Sequence, residues 1–212
     1  MKKIIAILLL VTCLLFALTA CGGDKTPATE NPSNSDSPVT TDEPSSEAPS
    51  DTVDPNAAIT EEMVRSHAVA PAEDFSYDVA DDGVTIRSYK GSDTIVVIPE
   101  KIEGKPVTAL KKLVFGNNST VRAVLIPETV KELNQVFINN KCVEIVICEG
   151  TETIYGTTFG FCSALREVYL GESIANLYEN TFDGCENLTI YAPAGSYAET
   201  FANENNIPFQ AE

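Results

Sequence analysis

The motif that decides the fold is clearest in the stretch Phe159-Gly-Phe-Cys162-Ser-Ala-Leu165-Arg-Glu-Val168-Tyr-Leu170. Its leading phenylalanine recurs at intervals of 22, 22 and 23 residues, as Phe115, Phe137, Phe159 and Phe182. Because one short strand cannot bury its apolar side alone, a repeat of this length predicts coils that stack around a continuous core. The apolar positions that follow the phenylalanines are Val121, Val124 and Ile126; Val143, Val146 and Cys148; Leu165, Val168 and Leu170; and, one residue shorter, Leu188, Ile190 and Ala192.

Three other segments carry matching features: Ile98-Pro99-Glu-Lys-Ile, Ile126-Pro127-Glu-Thr-Val130 and Phe182-Asp-Gly-Cys185-Glu-Asn-Leu188. With the quoted stretch, they resemble the BspA-type leucine-rich-repeat domains of bacterial surface proteins, over residues 75–209. The resemblance implies an α/β-type repeat, namely a short leucine-rich-repeat solenoid whose sheet takes one strand from each repeat. The middle repeat departs most from the pattern, with Glu152 at an apolar position and Cys142 two positions away from the usual cysteine.

Both ends of the repeat region have the features of caps. Residues 75–79 and 84–89 are predicted to form a β-hairpin around Asp81-Asp82-Gly83, followed by a first solenoid strand over residues 94–98. At the other end, Ser196-Tyr197-Ala198-Glu199 matches a capping box and predicts a short helix. Tyr197, Ala198 and Phe201 are expected to cover the last coil.

The first twenty residues have the composition of an export signal. Lys2 and Lys3 precede an uncharged apolar stretch that is short for a membrane crossing. Leu18-Thr19-Ala20-Cys21 resembles the lipobox of bacterial lipoproteins, which implies a diacylglyceryl group on Cys21. An ordinary secretory signal and an uncleaved membrane anchor are the alternatives. The expected location is therefore extracytoplasmic, with the chain lipid-anchored to the bacterial cell membrane.

Charge and composition divide the rest of the chain. Residues 21–58 are acidic and rich in Pro, Ser and Thr, which predicts a disordered tether. Residues 59–72 are expected to form a short helix or linker, with Thr60 as its N-cap and Pro71 at its end. Residues 73–212 form the predicted repeat domain. A net charge of −17 argues against a nucleic-acid partner.

Three positions past each repeat phenylalanine, the chain places a small polar or thiol side chain: Asn118, Asn140, Cys162 and Cys185. In stacked coils these residues form a ladder, and we expect them to donate hydrogen bonds to loop carbonyls. A Cys162–Cys185 disulfide is the alternative, since export permits oxidation. His67 is the only histidine and no catalytic motif occurs, so neither an enzyme, a metal site nor a cofactor is predicted.

The candidate binding residues lie on the outer face of the predicted sheet. Strand alternation sends one residue of each repeat outward and forms a row of Val97, Leu125, Ile147, Tyr169 and Tyr191. The row is edged by the alternating charges of Arg122, Glu144 and Arg166. We expect this exposed stripe to bind an unidentified protein or surface ligand. The alternative is that such residues merely suit a pleated surface.

The sequence therefore predicts a lipid-anchored surface protein whose repeat domain mediates protein binding or adhesion. The alternative is a non-catalytic structural lipoprotein of the envelope that has no ligand of its own.

Overall fold

The computed structural model describes residues 58–212, so the predicted signal peptide, Cys21 and nearly all of the predicted tether lie outside the described residues. The helices are α1 (Glu61–Ser66), a 3-10 turn (Ala72–Asp74) and α2 (Tyr197–Glu204). The strands are β1 (Phe75–Val79), β2 (Val84–Tyr89), β3 (Ile95–Val97), β4 (Lys101–Ile102), β5 (Lys105–Leu110), β6 (Ala123–Leu125), β7 (Glu132–Leu133), β8 (Ile145–Ile147), β9 (Thr153–Ile154), β10 (Glu167–Tyr169), β11 (Asn176–Leu177), β12 (Thr189–Ala192) and β13 (Phe209–Ala211).

The main sheet confirms the predicted solenoid. Its strand order is β13-β12-β10-β8-β6-β3, and all of its pairs are parallel. The register brings equivalent repeat positions side by side, so that Val124, Val146, Val168 and Ile190 form one inward row with no exposed surface. The period read from the sequence is therefore the period of the coils.

A second parallel sheet, which was not predicted, forms another wall of the solenoid. It consists of β7, β9 and β11, whose inward residues are Leu133, Ile154 and Leu177. Each of these strands has two residues, which is too short for an alternating apolar pattern to be recognised in the sequence. The predicted sheet with one strand per repeat is the main sheet, and the second sheet is an addition to it.

The repeat phenylalanines form a column through the core. Their ring centroids are 5.4, 5.2 and 5.2 Å apart, and the rings lie within 12° of parallel. Tyr89 of the hairpin contacts the first ring at 5.8 Å, and Phe201 of α2 meets the last edge-on at 6.3 Å. The column thus runs from one cap to the other, and each coil is fixed against its neighbours by stacked aromatic rings.

Both predicted caps are present. Strands β1 and β2 form the antiparallel hairpin, and α2 begins after Ser196, whose hydroxyl accepts a hydrogen bond from the Glu199 amide. The Glu199 carboxylate accepts from the Gly195 amide rather than from that of Ser196. Ala198 and Phe201 are buried as expected, but Tyr197 is 43% exposed, so its expected role in covering the last coil was wrong. Tyr197 directly precedes Ala198 in the helix, and adjacent residues of a helix project from different sides, so Tyr197 does not face the last coil.

Three members of the predicted ladder, Asn140, Cys162 and Cys185, join neighbouring coils, whereas Asn118 accepts hydrogen bonds from Thr120 and Val121 within its own turn. The amide of Asn140 donates to the carbonyl of Phe115 at 2.8 Å, and the thiols of Cys162 and Cys185 donate to carbonyls one coil earlier at 3.2 and 3.1 Å. Burial raises the pKa of Cys162 to about 12 and that of Cys185 to about 11, which keeps both thiols protonated as donors. All four cysteines in the described part are free, so the alternative of a Cys162–Cys185 disulfide was wrong.

Helix α1 is packed on the solenoid and is not a linker. Thr60 caps it as predicted, but the helix ends at Ser66, well before Pro71, because the chain then turns extended and Ala70 donates to the carbonyl of Val97 at 2.9 Å. The buried side chains of Ile59 and Val64 pack on the outer face of the main sheet, against Ile95, Ala123, Ile145, Ile147 and Tyr169.

Two charged side chains hold α1 in place. Arg65 donates to Glu149 at 2.7 Å and to Glu61 at 2.6 Å, so it joins the helix to the loop that follows β8. Arg166 donates to the carbonyl of Ile59 just ahead of the helix. Because a six-residue helix is not stable alone, these contacts and the apolar packing are what keep it formed.

The first three repeat turns contain left-handed residues both before and after the phenylalanine, and the fourth contains one only after it. Two residues after the phenylalanine, the successive repeats have Asn117, Asn139, Phe161 and Gly184, all with positive φ. Asn and Gly tolerate this conformation, whereas Phe161, with φ of 61°, does not favour it. Its side chain is also 53% exposed, so burial does not compensate for the strain.

We therefore expect Phe161→Asn to stabilise the domain by about 1 kcal/mol, since Asn removes most of the cost of a bulky left-handed residue. Urea unfolding followed by circular dichroism measures the change. Phe161→Ala is the matched control, because it removes the ring but keeps the unfavourable backbone. If the Asn and Ala variants are equally stable, relief of backbone strain is not the cause.

Introducing a charge at the centre of the α1 packing should detach the helix and leave the solenoid folded. Val64 has no exposed surface, so Val64→Asp places an unpaired carboxylate among apolar side chains. We expect Tyr169, which is 3% exposed, to become reactive towards tetranitromethane, as measured by peptide mass spectrometry against the exposed Tyr178. The exposed neighbour Glu62 offers the control Glu62→Ala. Continued protection of Tyr169 in the Val64 variant would show that α1 does not depend on this packing.

Candidate binding groove

The predicted row on the outer face is present in register but is not an exposed stripe. Val97, Leu125, Ile147, Tyr169 and Tyr191 lie opposite one another in consecutive strands. Ile147 and Tyr169 are buried, however, and Leu125 and Tyr191 are half-buried. The expectation of exposure was wrong because α1 lies on this face. The role of these residues in binding stays a prediction.

The tyrosine end of the row has its contacts within the protein. The rings of Tyr169 and Tyr191 stack at 4.6 Å, and the Arg65 guanidinium lies 5.8 Å from the centre of the Tyr169 ring. The Tyr169 hydroxyl donates to Glu167 at 2.8 Å. Burial, followed by this hydrogen bond, raises the pKa of Tyr169 well above its ordinary value. These contacts tie the Tyr169 ring to Arg65 of the docked helix and to the neighbouring Tyr191.

The predicted charge ladder is a set of ion pairs between coils. Glu144 accepts from Arg122 at 2.6 Å and lies 3.5 Å from Arg166. Arg166 also pairs with Glu167 of its own coil. Because these charges neutralise one another, they contribute first to the contact between coils. Their proposed contact with a ligand stays a prediction.

The other end of the row opens into a groove of about 500 Å³, a volume in the range of ligand-binding clefts. Its apolar floor is formed by Val97, Leu125 and Ile147, and Val69 forms one wall. Val69 is 59% exposed. No sequence signal marks Val69 as a site residue, because its position follows from a long-range contact.

That contact is a one-residue extension of the sheet. After α1, the chain runs beside β3, where Val69 forms a parallel bridge with Val97 and the Ala70 amide donates to the Val97 carbonyl. The Val97 carbonyl thereby has a hydrogen-bond donor at the open edge of the sheet. The same bridge fixes the Val69 side chain at the groove.

The opposite lip comes from the loops that leave β3, β6 and β8. Pro99 and Pro127 follow equivalent core isoleucines, and Gly150 lies on the next coil. A Cβ on Gly150 would lie only 2.3 Å from the Cα of Glu128, so a side chain there would force the loops apart. Glycine therefore permits the close stacking of coils that shapes this lip. The repeated Ile-Pro-Glu was the sequence signal for the lip.

The charges at the rim are mostly acidic. Glu149 is paired with Arg65, whereas no salt bridge in residues 58–212 involves Glu100 or Glu128, both of which are exposed. Lys101 is the cation among the lining residues. The groove thus combines an apolar floor with two exposed carboxylates that form no salt bridge within the described residues.

Within residues 58–212, no group of three His, Cys, Asp or Glu side chains is placed to hold a metal ion. The same residues include no helix with the length and apolarity needed to cross a bilayer.

Comparison with known proteins identifies the repeat. A model of the BspA-type leucine-rich repeat region matches residues 94–207 in six copies. The crystal structure of a T. pallidum leucine-rich repeat protein is similar, with a TM-score of 0.45 and 21% identity, over 58% of this chain and 71% of the other. A leucine-rich cell surface protein from Faecalibacterium prausnitzii A2-165 has a TM-score of 0.45 and 25% identity over 62% of this chain, which spans 38% of that protein. No curated protein matches. The family model covers more than half of the sequence, and the chain belongs to the BspA-type leucine-rich-repeat family.

Proposed function

We propose that this chain is a lipid-anchored cell-surface protein whose leucine-rich-repeat domain binds another protein through the groove beside β3. The observation that carries the proposal is the apolar surface that α1 leaves uncovered: Val69, 59% exposed, adjoins Leu125 at the mouth of the groove. An exposed apolar surface that is continuous with a concave floor favours recognition of a partner.

The other exposed apolar side chains support this choice of site. Val79, Leu113, Phe161, Tyr178 and Tyr197 are all more than 40% exposed, but none of them lines this groove. Single exposed apolar residues are common on protein surfaces and need no ligand.

The lipid anchor rests on the lipobox-like Leu18-Thr19-Ala20-Cys21. We expect Cys21→Ser to move the protein from the membrane fraction to the soluble fraction and to abolish labelling by a radioactive fatty acid. Cys142→Ser, at a half-exposed cysteine of the domain, is the control and should leave both unchanged. Fatty-acid labelling of the Cys21 variant would contradict the anchor at this position.

Binding through the groove is tested by a photoreactive amino acid at Val69 in the full chain on intact cells. The matched control is the same substitution at Val79, another exposed valine, on the cap hairpin. We expect a covalent adduct of discrete mass from position 69 alone, and its loss when Leu125→Lys places a charge on the floor. Adducts from both positions would indicate non-specific contact. If neither position forms an adduct, the result would favour the alternative of a structural lipoprotein that has no ligand of its own.

A further inference from the structure

We infer that the groove receives an extended peptide segment in which apolar side chains are flanked by Lys or Arg. This inference rests on the proposed function, because it defines the chemistry of the partner that the same groove binds. Two independent properties of the groove lead to it, namely the arrangement of its carboxylates and the dimensions of its floor.

The first property is a pair of like charges on adjacent coils. Glu100 and Glu128 each follow an Ile-Pro pair, after β3 and β6, and both line the groove. Val97 pairs with Leu125, and each glutamate follows its strand at the same interval, so the two backbones lie side by side on coils about 4.8 Å apart. A single cationic side chain placed between the two exposed carboxylates gains an ion pair with each.

The nearby lysines do not supply that cation. Lys101 lines the groove, but neither it nor any other described side chain forms a salt bridge with Glu100 or Glu128. The ammonium group of Lys131 donates to the Gly150 carbonyl at 3.1 Å and lies 3.6 Å from Glu152. Glu149 already forms a salt bridge with Arg65. The two carboxylates therefore remain available to an external cation.

The second property is the floor. It spans three coils, or about 10 Å, and alternate side chains on one face of an extended chain are about 7 Å apart. Two apolar side chains of an extended segment thus fit within the span of the floor from Val97 to Ile147, beside Val69. The cationic residues that flank them then lie over the rim. An anionic partner is disfavoured by the rim and by the net charge of −17.

The test uses three labelled heptapeptides with the full chain. Lys-Ser-Val-Ser-Val-Ser-Lys carries the proposed pattern, Glu-Ser-Val-Ser-Val-Ser-Glu reverses its charge, and Lys-Ser-Ser-Ser-Ser-Ser-Lys lacks the apolar residues. Fluorescence anisotropy measures affinity, and methyl NMR shifts of Val69, Val97 and Leu125 locate the binding. We expect the first peptide to bind most tightly and to shift these methyl resonances. Its affinity should fall as the salt concentration is raised.

Two double variants distinguish attraction by the rim carboxylates from attraction by the overall negative charge of the protein. Glu100→Gln with Glu128→Gln and Asp81→Asn with Asp82→Asn each remove two negative charges, but only the first pair lies at the groove. We expect the first to weaken binding of the patterned peptide about five- to tenfold and the second to leave it unchanged.

An equal loss in both variants would overturn the inference, because the attraction would then come from net charge alone. Stronger binding of the anionic peptide, equal binding of the peptide without valine, or no binding of any peptide would also overturn it. The photocrosslink at Val69 is an independent readout, so a groove that captures a protein but rejects all three peptides would retain the proposed function and lose only this partner chemistry.

Discussion

The stacking of one coil on the next is the constraint on which this structure depends. A repeat coil has one strand of three or four residues in the main sheet and one phenylalanine, and it can bury neither without a neighbour. Near-parallel rings 5.2 to 5.4 Å apart fix the spacing, and Tyr89 and Phe201 close the column. The same spacing brings the two Ile-Pro-Glu loops side by side, so the groove follows from the packing of the core.

Helix α1 has a double effect on the outer face of the main sheet. It shields Ile145, Ile147 and Tyr169 from solvent, which a solenoid with a strongly apolar outer face requires for solubility. It also ends at Ser66, and the extended residues that follow supply Val69 to the groove. The segment that covers most of the face therefore determines what part of it remains available. Ile147 belongs to the cluster under α1 and also lines the groove, so the proposed binding is physically linked to the docking of α1.

The sequence predicts features that depend on the period and fails for those that depend on distant contacts. The repeat gave the register of the main sheet, the core positions and the ion-pair ladder of Arg122, Glu144 and Arg166, because each recurs at a fixed interval. The two-residue strands of the second sheet carry too little pattern. The docking of α1 depends on contacts such as that of Arg65 with Glu149, which are 84 residues apart in the chain. The same holds for the groove. The outward row that forms its floor was predicted, whereas its wall at Val69, which depends on a distant contact, was not.

Unfavourable interactions that remain in the folded chain, such as exposed apolar surface and like charges side by side, favour a binding module over a passive structural domain. Glu100 and Glu128 lie on adjacent coils and form no salt bridge within residues 58–212, and Val69 is exposed in the same groove. Exposed apolar area is a cost that a bound partner relieves, and a cationic partner neutralises like charges that lie side by side. Their occurrence together at the mouth of one groove is the physical reason for proposing the recognition site at this edge of the solenoid.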